Sequence, residues 1–171
     1  MRPRLRQLAL TAHVTSSVGW LGAVAVYLGH AVAGLTSQDA QIVRAVYLAM
    51  ELSIWFVIVP LALASLVTGL VSSLGTAWGL FRHYWILFKL LINVFATIVL
   101  LMYTQSIGYF ATMARTAPLS GTNLIELRNP THAIHAGAAL LLLLVATTLA
   151  VYKPRGMTPY GWRRQHEHHD L

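Results

Sequence analysis

Residues 8–35 read LALTAHVTSSVGWLGAVAVYLGHAVAGL, and this stretch decides the fold. It contains no Asp, Glu, Lys or Arg. At about 1.5 Å per residue it would reach about 42 Å as a helix, more than the roughly 30 Å hydrocarbon core of a bilayer. It therefore reads as a membrane-spanning helix. His13 and His30 would stand about 25 Å apart along it, so they belong to two sites, one near each membrane surface. An unpaired polar group in hydrocarbon is costly, so ionisable residues inside spans face neighbouring helices and mark functional sites.

The whole chain agrees with that reading. It has 171 residues, of which 57% are hydrophobic and 10% charged, whereas a soluble domain carries about 25% charged residues. The formal charge of +7 lies in short runs beside apolar segments, which indicates membrane orientation and lipid headgroup contact rather than nucleic-acid binding. With no cysteine present, disulfides, thiolate metal sites and cysteine nucleophiles are excluded. Any metal or haem iron must be held by His, Met, Tyr or carboxylate.

Four spans are predicted, at about 8–35, 45–73, 84–106 and 130–152, making an all-α, polytopic four-helix transmembrane bundle. A basic, His-rich tail follows at 153–171. The apolar run after MRPRLRQ continues to Leu35 without the short core of a cleavable signal, so it is expected to remain as a helix. Arg2, Arg4, Arg6, Arg82, Lys153, Arg155, Arg163 and Arg164 fall on one side of this topology, and Arg44, Arg115 and Arg128 on the other. That asymmetry predicts a multi-pass membrane protein with both termini and the Arg82 loop in the cytoplasm.

Three local features refine the expectation. Pro60 should kink the second span. Asn129 and Pro130 should start the fourth as N-cap and first helical residue, placing His132 and His135 in its first two turns. Ser16, Ser17, Gly19, Gly22 and Gly29 should let helices approach the first span closely. The connection 107–129, with Tyr109, Phe110, Met113 and Leu119, reads either as a lid or as a loose surface loop. The tail reads as a solvated, disordered end, with a weak divalent-ion site at His166, Glu167, His168, His169 and Asp170 as the alternative.

Counting along each span puts His30, Glu51, His132 and His135 at one depth, about 9–14 Å from the bilayer centre on the outer side. His13 and Lys89 fall about 9–12 Å from it on the inner side. Each residue also has a plainer reading. His30 could bond Glu51 or a backbone carbonyl, His132 could be interfacial, His13 could bond between helices, and Lys89 could snorkel to the surface. Taken together, the outer set points to a cofactor. Haem b clamped by His30 and His135 is the expected one, because two imidazoles on different helices can grip iron from opposite faces. His13, with Trp20 two turns above it, is a candidate ligand of a second haem, and Lys89 a candidate partner for a propionate or an anionic substrate. Without porphyrin, His30, His132, His135 and Glu51 could hold copper, or zinc less readily. The expected work is electron transfer or a small-molecule redox reaction by a haem-dependent oxidoreductase, with the lipid bilayer and a membrane quinone or another redox partner. Homo-oligomerisation is left open. A copper or zinc protein and a cofactor-free membrane subunit are the alternatives.

His13, six intervening residues, then Trp20, Leu21 and Gly22, together with Tyr84, Trp85 and Lys89 opening the third span, form a short pattern. It resembles the loose group of small bacterial membrane proteins around the copper-resistance D domain and the HemJ-type protoporphyrinogen oxidases. The HemJ-type resemblance implies that His13 matches an essential histidine and Lys89 an essential lysine of a haem-b-containing oxidase. The copper-resistance resemblance implies metal handling in the membrane. The fourth span, NPTHAIHAG followed by VYKPRG, is closest to integral membrane proteins without an assigned activity.

Overall fold

The computed structural model describes residues 3–74, 80–118, 121–154 and 156–166, with residues 164–166 described in backbone only. Helix α1 is Pro3–Thr36. It is followed by α2 (Ala40–Ser53), a π turn (Ile54–Ile58) and α3 (Val59–Leu74), which run on as one span. Next come α4 (Tyr84–Thr116), α5 (Thr122–Leu127), α6 (Thr131–Tyr152) and α7 (Pro159–His166). Four of the resulting segments are long and apolar enough to cross a membrane, so the chain is an all-α four-helix bundle.

The stripe that holds α1 in the bundle is His13, Ser16, Trp20, Val24, Tyr27, Ala31 and Gly34, spaced three and four apart as one helical face demands. It meets α2, α3 and α6. Close approach occurs at two of its glycines. A Cβ on Gly19 would lie 3.3 Å from Leu61, and one on Gly34 would lie 3.1 Å from Val46. Gly22 and Gly29, expected to serve the same purpose, face open space. The opposite surfaces are apolar and exposed, as at Phe56 and Met102, which lipid accepts and water would not.

The second span starts earlier than its hydropathy indicates, because the Asp39 carboxylate accepts from the Gln41 N–H at 2.8 Å and caps it. Pro60 is accommodated by widening the turn ahead of it. Through Ile54–Ile58 the helix takes π geometry, with the Val59 N–H bonded to the Ile54 carbonyl five residues back. At α6, the Asn129 side chain accepts from the Thr131 N–H at 2.9 Å, and the helix proper begins at Thr131.

Two sequence expectations are corrected. The segment 107–129 is neither lid nor loose loop through most of its described length. Helix α4 runs on to Thr116, and α5 fills 122–127. The extension is held by Ile107, Ala111 and Ala114, all fully buried. At its end the Arg44 guanidinium donates to the Ala114 carbonyl at 2.7 Å and the Ala117 carbonyl at 3.2 Å, satisfying orphan helix-end acceptors. Tyr109, Phe110 and Met113 are therefore helical, while Leu119 lies outside the described residues. The described part of the tail is largely exposed, as expected of a solvated end, but it is ordered rather than disordered. His83 and Met157 form an antiparallel bridge, and the Thr158 N–H donates to the Arg82 carbonyl at 3.0 Å. The Thr158 hydroxyl donates to the Phe81 carbonyl and accepts from the Gly161 N–H. Gly161 is required there, since a Cβ would come within 2.5 Å of the Arg82 carbonyl oxygen. The acidic and histidine residues at 167–170 lie outside the described residues.

Candidate functional site

At one end of the bundle, α1, α3 and α4 bring His13 and Lys89 together. The His13 Nδ1 lies 3.0 Å from the Ser65 carbonyl, which can only accept, so Nδ1 carries the proton. Nε2 is then the acceptor for the Lys89 ammonium, 3.0 Å away. Beside it, the Ser17 and Ser65 hydroxyls bond at 2.7 Å. The ring sits against α3 because Gly69 has no side chain, and a Cβ there would come within 2.9 Å of His13 Cε1. Both ring nitrogens are engaged, so His13 offers no lone pair to iron in this arrangement. Lys89 is turned inward onto the histidine rather than snorkelling to the surface.

At the other end, His132 is 1% exposed among aromatic rings. The Tyr103 hydroxyl bonds its Nδ1, and Phe110 and Tyr47 meet its ring edge-on at centroid distances of 4.7 and 5.3 Å. The Tyr47 hydroxyl donates to the Leu127 carbonyl and so ties α5 to α2. His135 stacks on the Tyr103 ring at 4.7 Å and 19°. Its Nδ1 donates to the Thr131 carbonyl at 2.8 Å, which leaves the Nε2 lone pair open. The Nδ1 of His30 is buried with no partner, as is the Nε2 of His132.

Glu51 does not join the histidines. It pairs with Arg115 at 2.7 Å across α2 and α4. Among the described residues no three His, Asp or Glu side chains gather into a metal-binding group. The cage of His30, Glu51, His132 and His135 expected from common depth is thus not assembled. Depth along a helix fixes one coordinate of a side chain. The direction around the axis sends Glu51 to Arg115 and His132 into the aromatic cluster.

Between the two ends an apolar cleft of about 250 Å³ runs among α1, the π turn, α4 and α6. Trp20, Val24 and Ile58 form part of its wall, and Tyr27, Tyr103 and His135 are its polar residues near one end. His30 does not line it. Tyr27, Tyr47 and Tyr103 were not singled out by sequence reading, although a tyrosine inside an apolar span is itself a signal, because its buried hydroxyl needs a partner. Comparison with protein families, curated proteins and solved structures returned no match.

The Thr131 carbonyl fixes His135 in the tautomer whose Nε2 can bind iron, as in other histidine-ligated sites. The walls are mostly apolar. His135 would therefore be able to hold haem iron through Nε2; the Nδ1 of His30 is buried without a partner but does not line the cleft.

Proposed function

We propose that this chain is a membrane haem b protein that carries electrons, with the porphyrin in the cleft among α1, the π turn, α4 and α6. The observation that carries this reading is the open Nε2 of His135 at the wall of an apolar intramembrane cleft, its ring locked by the Thr131 carbonyl and the face of Tyr103. His30, which does not line the cleft here, would be a second residue to hold the group only with its unpartnered ring turned toward it. When bound, haem would supply a one-electron couple whose potential is tuned by its axial ligands and by burial. The chain's own residues would line the group with apolar side chains and orient His135. By its excess of Arg and Lys, the end bearing the N-terminus, Arg82 and α7 is assigned to the cytoplasm of a bacterial inner membrane. The haem would then lie toward the outer face, and membrane quinol is the proposed electron donor class.

A second reading is favoured by one specific feature. Tyr27, Tyr103 and His135 cluster in an otherwise apolar slot, and Tyr103 bonds His132 behind it. That arrangement suits a quinone head group in place of haem. Copper or zinc is supported less, since no three-ligand group forms among the described residues.

Reduced-minus-oxidised spectra of purified protein, expressed with ample haem, test the reading. Wild type should show a Soret band that is lost in His135→Ala and converted to a high-spin form in His30→Ala. A chain without haem, or a His135→Ala variant with an unchanged spectrum, refutes it. Stoichiometric extracted quinone in haem-free protein would select the second reading.

A further inference from the structure

Lys89 presents a problem that the haem reading does not solve. The described acidic residues, Asp39, Glu51 and Glu126, belong to the opposite end of the bundle. No carboxylate among the described residues offsets the ammonium, and its hydrogen-bond partner is a histidine nitrogen with no charge to give. A cation held inside a span without a counter-charge calls for an anion.

The surroundings of Lys89 provide room for one. Two cavities, of about 330 and about 140 Å³, share His13, Lys89 and Asn93 in their walls. Asn93 is 7% exposed, and its amide makes no hydrogen bond to another described residue. The Ser72 hydroxyl lines the smaller cavity, buried and without a partner. An ammonium, a free amide and a free hydroxyl together make a donor set for oxyanion oxygens. The larger cavity continues between α1 and α6 past Leu143 and Ala146 to Val14, Val18 and Val151, whose exposed side chains face the lipid. The polar part is thus joined to an apolar channel open to the bilayer.

We infer that this end of the bundle binds an anionic amphiphile, with its oxyanion head on Lys89 and Asn93 and its acyl tail between α1 and α6. The head group is a carboxylate or a phosphate, supplied by a free fatty acid or by a bilayer phospholipid. The site is separate from the cleft that contains His135, with which it shares only Trp20, so it stands whether or not haem is bound there.

Equilibrium binding of radiolabelled oleate to the purified full-length chain in a neutral detergent tests the inference. Oleate should bind saturably, and methyl oleate, with the same tail and no charge, should compete at least about tenfold more weakly, the loss expected for one charge-assisted contact. Displacement by short-chain phosphatidylglycerol but not by phosphatidylcholine would assign the head group to a bilayer phosphate; displacement by neither would assign it to a free carboxylate. Lys89→Gln should weaken oleate binding by at least about tenfold. If Lys89→Gln does not fold, judged by circular dichroism and gel filtration, Asn93→Leu is read in its place and should weaken binding severalfold. Equal competition by the acid and its ester, non-saturable binding, or unchanged affinity in the variant that is read overturns the proposal.

Discussion

Replacing Gly69 by alanine should destabilise the bundle through one contact. In wild type the new Cβ would stand 2.9 Å from His13 Cε1 and 3.3 Å from Nδ1. The ring has nowhere to retreat, because Nδ1 is held by the Ser65 carbonyl and Nε2 by Lys89, each at 3.0 Å. Overpacking of this kind costs about 1–3 kcal/mol, against a helix-propensity gain of about 1 kcal/mol for Gly→Ala. The net effect is a loss of up to about 2 kcal/mol. In a His13→Ala background the obstacle is gone, and the same change should be neutral or stabilising by up to about 1 kcal/mol. The coupling between the two sites is therefore about 1–3 kcal/mol, well above the roughly 0.3–0.5 kcal/mol scatter of independent sites. Unfolding of the four proteins of the cycle in mixed micelles with increasing sodium dodecyl sulfate, followed by circular dichroism, gives the number. Additive effects would refute the placement of the His13 ring against α3.

Two further outcomes follow from contacts away from the cavities. Arg44→Ala should leave the Ala114 and Ala117 carbonyls without their guanidinium donor. The expected cost is about 1–3 kcal/mol, with faster amide exchange over the last turns of α4; lysine at that position should restore only part of it. Gly161→Ala should lift α7 from the 81–84 turn, because the Cβ meets the Arg82 carbonyl at 2.5 Å. Trypsin should then cut at Arg163 severalfold faster while the unfolding of the bundle moves by no more than about 0.5 kcal/mol. An unchanged cleavage rate would show that α7 is not held by that contact.

The sequence by itself determined that this chain is an all-α bundle of four membrane spans, because a run such as 8–35 has no stable alternative to a helix in lipid. It also placed His13 and Lys89 at one depth and His30, Glu51, His132 and His135 at another, since axial rise is fixed at about 1.5 Å per residue. What it could not supply was direction around each axis, which depends on how four helices settle against one another. Only the tertiary structure turned Lys89 onto His13, gave Glu51 to Arg115, enclosed His132 in aromatic rings and left His135 at the wall of the cleft. It likewise extended α4 past the length a bilayer requires, because buried alanines and the Arg44 cap stabilise turns that hydropathy alone would end. Docking of α7 rested on the absence of one Cβ at Gly161 against a backbone carbonyl distant in sequence, a contact that no local pattern encodes.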